Sequence, residues 1–129
     1  MATDGMGANM PAKKGDFPGA KNMPEKNKTV QLNVGYSDQE MEKIKFGIIP
    51  RDMDDRWFIY YGEDEETLYL HRSWTGFCVY MVKFKNVDSG FAALNTVVNE
   101  DPEQYRCSDD AEEKRRCLDL IDILLLNKG

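Results

Sequence analysis

The hydrophobic positions of this chain change period several times between residues 29 and 126, and each change marks an element. In TVQLNV (29–34), Val30, Leu32 and Val34 alternate with polar neighbours, the period of a half-buried strand. Ser37-Asp38-Gln39-Glu40 then forms an S-x-x-E capping box, and Met41, Ile44 and Ile48 recur at spacings of three and four. That spacing predicts a short helix over about 38–46, ended by Gly47. Pro50 makes IIPRDMDD a connector. RWFIYY, TLYLHRSW and FCVYMVKFK follow within residues 56–85, three dense runs of aromatic and β-branched residues. The links between them are short, so the runs predict antiparallel hairpins, a three-stranded meander. FAALNTVVN (91–99) fits strand and helix alike. Cys117, Leu120, Ile121, Leu124 and Leu125 fall at i, i+3, i+4, i+7 and i+8, the stripe of a helix over about 110–126. Ser108, Asp109 or Asp110 can cap it, and Glu112 and Glu113 suit its first turn, where the helix dipole favours acids.

The expected class is α+β. An antiparallel sheet of three to four strands, with the meander 56–85 at its centre, is packed by the C-terminal helix (about 110–126) and the short N-terminal helix (about 38–46). Both faces of the meander are apolar, so both should be covered. Residues 29–129 form the single domain. Residues 1–28, rich in Gly, Pro, Asn and Met, with Phe17 their one aromatic residue, read as a disordered arm. The arm carries five lysines and three acids, and the remainder twelve basic and twenty acidic residues.

The formal charge of −6 argues against a nucleic-acid binder, which needs a basic surface. No apolar run approaches the ~20 residues of a membrane span, and no signal-peptide core opens the chain. Three cysteines and one histidine make neither a disulfide framework nor a common zinc site, so the thiols are expected to be reduced in a cytoplasmic setting.

The meander yields the candidate site. With a five-residue loop at 62–66, Tyr61 faces Thr67, Trp57 faces His71 and Arg56 faces Arg72. A four-residue loop at 73–76 makes His71 face Cys78 and Leu70 face Val79. A slip of one residue would invert every face. Like charges directly opposite each other are destabilising, so an Arg56–Arg72 pair needs something negative between the two. That anion is either internal (Asp52, Asp54 or Asp55) or an external phosphate or carboxylate, which the rigid guanidinium fork suits. Trp57, Tyr69, His71 and Trp74 can form an aromatic platform for a flat ring, or simply fill the core.

No catalytic set emerges. A Cys78–His71 pair lacks a third orienting group. Asp52, Asp54 and Asp55 lack the spacing and glycine of a calcium loop, so no metal site is assigned. No P-loop, dinucleotide glycine fingerprint, G-x-S-x-G elbow or H-E-x-x-H occurs, and no cofactor is implied.

Residues 53–84 and 97–105 carry M-D-D-x-W-F-x-Y-Y, H-R-S-W-T-G-x-C and N-x-D-P-E-Q-Y. In these strings the chain resembles a family of small, largely uncharacterised bacterial proteins associated with ADP-ribose-processing domains. The resemblance implies no catalytic residue, but it is consistent with a nucleotide diphosphate as ligand. The expectation is therefore a small binding module in which Arg56, Arg72, Trp57, Tyr69, His71 and Trp74 hold an anionic, nucleotide-like ligand, with an enzyme using His71 as acid or base ranked last. The alternative is a protein-interaction or regulatory module that uses its acidic surface or a sheet edge.

Overall fold

The computed structural model describes residues 10–128. Five antiparallel strands form one sheet: β1 (Asn27–Tyr36), β2 (Trp57–Gly62), β3 (Thr67–Arg72), β4 (Cys78–Val87) and β5 (Gly90–Asn99). Their order across the sheet is β1-β5-β4-β3-β2. Two helices complete the α+β fold, α1 (Asp38–Phe46) and α2 (Asp110–Leu120). The sheet thus has one strand more than the upper expectation. The extra one is β5, the segment whose local pattern was undecided. It is a strand because β1 and β4 pair with it on both sides, a long-range constraint that no local period contains. None of the described helices is long and apolar enough to cross a membrane.

Both helix starts follow from their caps. The Glu40 N–H donates to Ser37 Oγ at 3.1 Å, and the Ser37 N–H donates to Glu40 Oε1 at 2.9 Å. Asp109 caps α2, accepting from the Glu112 N–H at 2.9 Å. The expected helix over 110–126 is α-helical only to Leu120. Ile121–Leu125 then widens into a π turn, closed by the Leu126 N–H donating to the Ile121 carbonyl at 3.1 Å.

The meander exists, but its first hairpin is one residue out of the expected register. Trp57 pairs with Arg72, Phe58 with His71, Tyr60 with Tyr69, and Gly62 with Thr67. The cause lies in the turn. Glu66 adopts a left-handed conformation (φ 53°), so four residues close the loop and Gly62 joins the strand. The side chains therefore exchange faces relative to expectation. In the second hairpin His71 does face Cys78, but one extra residue then bulges and Leu70 meets Tyr80 instead of Val79.

One face carries rows such as Ile59, Leu70, Tyr80 and Val98, packed with Met41 and Ile44 of α1 and Cys117 and Ile121 of the C-terminal helix. The other face, at β2 and β3, carries Phe58, Tyr60, Tyr69 and His71. Its cover comes from the segment expected to be a disordered arm, which is a correction for residues 10–28. Residues 10–26 cross this face as a strap, and residues 1–9 lie outside the described residues. Ala12 is buried and its N–H donates to the Phe46 carbonyl at 2.8 Å. Phe17 packs on Phe58 with ring centroids 5.2 Å apart. The Lys21 N–H donates to the Gly76 carbonyl at 2.8 Å.

Candidate functional site

The one-residue slip breaks the expected constellation into three pairs in three places. Arg56 does not face Arg72. Its carbonyl accepts from the Ser73 N–H, and its guanidinium stacks over the Trp74 ring at 5.8 Å. Trp74 is 66% exposed but fixed, because its indole N–H donates to the Met53 carbonyl at 3.0 Å. No side chain of Asp52, Asp54 or Asp55 bridges Arg56 or Arg72 among the described residues. Asp55 takes Arg51 instead, and Asp52 accepts from the Asp54 N–H.

Arg72 and Trp57 stay together on the helix-covered face. The Arg72 guanidinium lies over the Trp57 ring at 5.3 Å. Both line a notch of about 320 Å³ with Tyr105, Arg115, Arg116 and Asp119, so three guanidinium groups and one carboxylate border one space. Carboxylates already hold two of them: Arg115 pairs with Glu112 and Asp119, and Arg116 with Glu112 and Glu113. Arg72 pairs with no carboxylate among the described residues. Stacking on Trp57 leaves the guanidinium edge, where the N–H donors are, available to a ligand.

Behind the notch lies a group that the sequence did not single out for this role. Glu113 is fully buried. Its Oε1 accepts from Tyr80 at 2.6 Å and Tyr105 at 2.8 Å, and its Oε2 accepts from the Ser108 N–H at 2.7 Å and Arg116 Nη1 at 3.3 Å. Helix-dipole complementation explains Glu112 and Glu113 from sequence, but only Glu113 turns inward. Burial, reinforced by Glu113, pushes the Tyr80 hydroxyl far up, so it donates and does not ionise. Burial raises Tyr105 as well. Arg116 is held protonated first by its bond to the Tyr105 hydroxyl. The network thus fixes one wall of the notch. Its sequence signal was the spacing of Glu112, Glu113 and Arg116 on one helix; nothing local announces Tyr80 or Tyr105 as their partners.

Tyr69 and His71 lie on the opposite face, under the strap. Tyr60 stacks on Tyr69 (4.7 Å, 14°) and on His71 (5.9 Å, 13°), giving three nearly parallel rings. These rings form part of a cleft of about 610 Å³ that Lys14, Phe17 and Ala20 of the strap close from above. His71 is 4% exposed; its Nδ1 lies 3.1 Å from the Gly76 carbonyl, while its Nε2 is buried without a partner. Since a carbonyl only accepts, Nδ1 must carry the proton, which leaves Nε2 an acceptor. An orphaned buried acceptor of this kind costs roughly 1–3 kcal/mol. Burial lowers the imidazole's pKa against the opposing pull of the Gly76 carbonyl. Cys78 offers His71 no nucleophile: burial pushes its thiol up to about 12.

Residues of the strings at 53–84 and 97–105 fasten loops. Ser73 Oγ donates to the Asp55 carbonyl at 2.7 Å, tying the 52–55 loop to the β3–β4 turn together with Trp74. Asn99 donates to the Cys78 carbonyl and Gln104 Oε1 and accepts from the Asp101 N–H, which shapes the 99–105 turn.

No family model, curated protein or solved structure matches this chain.

Proposed function

We propose that this chain is a small binding module for an anionic, nucleotide-like ligand held in the notch by Arg72 and Arg116, with Trp57 and Tyr105 as walls. The observation that carries the proposal is Arg72 itself, a guanidinium oriented by an aromatic ring, bordering a notch with two further arginines and paired to no carboxylate among the described residues. An oxyanion supplies the missing charge and accepts from the guanidinium edge. The arginine pair of this reading is Arg72 with Arg116; Arg56 and Trp74 take no part, and Tyr69 and His71 lie on the other face.

The test is calorimetric titration of the full chain with ADP and with inorganic pyrophosphate at low salt. Binding that weakens with added salt and falls about ten- to hundredfold in Arg72→Ala is expected, since hydrogen bonds to charged groups contribute about 1.5–3 kcal/mol. No binding of either probe, or an Arg72→Ala variant of unchanged affinity, overturns it. A second reading, a protein-interaction module, draws on one observation: Trp74 and Met53 stand side by side, 66% and 75% exposed, with the indole locked in place. Under that reading association depends on Trp74, and both probes stay unbound.

A further inference from the structure

The strap cleft has a chemistry of its own, separate from the notch. We propose that it binds a planar heterocycle that donates an N–H to His71 Nε2, with the ring lying against the Tyr60–Tyr69 stack. Three observations carry this. The cleft, at about 610 Å³, is the size of small-molecule pockets generally, and aromatic and apolar side chains line it, with Met81 among them. Its wall carries three nearly parallel rings stacked on one another, surroundings that suit a flat aromatic guest. His71 on its wall also carries the one buried side-chain polar atom among the described residues that has no hydrogen-bond partner, Nε2, which a guest reaches only by parting the side chains that close it from solvent.

The Gly76 carbonyl makes that atom selective. By accepting from Nδ1 it fixes the tautomer, so Nε2 takes a proton donor and rejects a lone pair. The same carbonyl accepts from the Lys21 N–H, so the strap is fastened beside the imidazole. Gly76 sits at φ 82° and packs so closely on the Gly19 carbonyl that any side chain there would collide with the strap. The strap is thus pinned at Ala12 and at Lys21, and between the pins it arches over the cleft. Lys14 and Glu65 stand on the cleft wall with opposite charge, and Glu65 accepts from the Tyr69 hydroxyl at 3.2 Å. Lys14 and Glu65 offset each other and Asn22 is neutral, so a neutral ring is the guest the cleft fits.

The experiment uses the full chain and two probes that differ in one atom's substitution, indole and 1-methylindole. His71 is the only histidine in the chain, so its imidazole nitrogen resonances need no assignment. Indole is expected to bind at least tenfold more tightly than 1-methylindole and to shift the Nε2 resonance, leaving Nδ1 nearly unmoved. His71→Phe keeps a ring but removes the acceptor, and it should bring the two probes to equal affinity. Should that variant fail to fold, the Nε2 shift in the unmodified chain decides. Equal binding of the two probes to the unmodified chain, or an Nε2 resonance that indole at millimolar concentration does not move, overturns the proposal. Neither result bears on Arg72, whose notch lies on the other face of the sheet.

Discussion

His71 shows how one residue of register changes the chemistry available to a side chain. Opposite Trp57 it would have belonged to a platform beside two arginines; opposite Phe58 it lies buried under the strap with one nitrogen satisfied and the other not. Its lowered pKa, caused first by burial, links it to stability. The unfolded chain binds a proton near pH 6.5 while the folded chain resists it, so the unfolded state holds more protons below that value. Stability is therefore full above about pH 6.5 and falls as the pH drops from there through the lowered folded pKa. Ordinary carboxylates titrate lower, so the slope between about pH 5 and 7 reports this imidazole. Urea unfolding of His71→Phe across that range should give a flatter profile than the parent chain. A parent profile already flat between pH 7 and 5 would contradict the burial of a neutral imidazole.

At the scale of elements, legibility divided along sequence distance. The capping box of α1 and the Asp109 cap of α2 were legible because a helix start is decided by residues three apart. The meander was legible from its aromatic and β-branched runs. Its register was not, because the φ of Glu66 shortened the turn, and nothing in Glu63–Glu66 marks which residue turns left-handed. β5 and the Glu113 network depend on partners far along the chain. Glu113 joins α2 to β4 through Tyr80 and to the 100–109 loop through Tyr105 and Ser108. Removing the buried carboxylate strands the Tyr80, Tyr105 and Ser108 donors, at about 1–3 kcal/mol for each buried donor left unpaired, while Arg116 keeps Glu112. Glu113→Ala should lower the urea midpoint accordingly, and Tyr105 should lose its protection from solvent. Glu112→Ala, one position away and half-buried at the helix surface, should leave the midpoint nearly unchanged. Equal losses in the two variants would remove Glu113 from its structural role.

The whole molecule is a sheet with unequal covers. The helix-covered face holds most of the buried side chains in one cluster, whereas the strap face holds a small separate one built on Ala12, Phe58 and Tyr60. That asymmetry explains why the first 28 residues read as disorder: with one aromatic side chain and many small or polar ones, the segment has no core of its own. Ordering 10–26 requires a surface made by other residues, here Phe58, the Phe46 carbonyl and the Gly76 carbonyl. The same asymmetry separates the strap's stability from the fold's. A chain beginning at Asn22 retains every strand and both helices and loses the Phe17–Phe58 contact with two strap hydrogen bonds. It should unfold cooperatively at a lower midpoint, by about 2–4 kcal/mol, from one partly buried aromatic side chain and two hydrogen bonds. Hydrogen exchange should stay slow in β4 and β5 and quicken at Ile59, whose bridge to Ile48 lies beside the Ala12 anchor. Phe58 and Tyr60 would then face water, which a rise in binding of a hydrophobic dye detects. Loss of cooperative unfolding in the shortened chain would show instead that the strap belongs to the folding unit and that the two faces are one core.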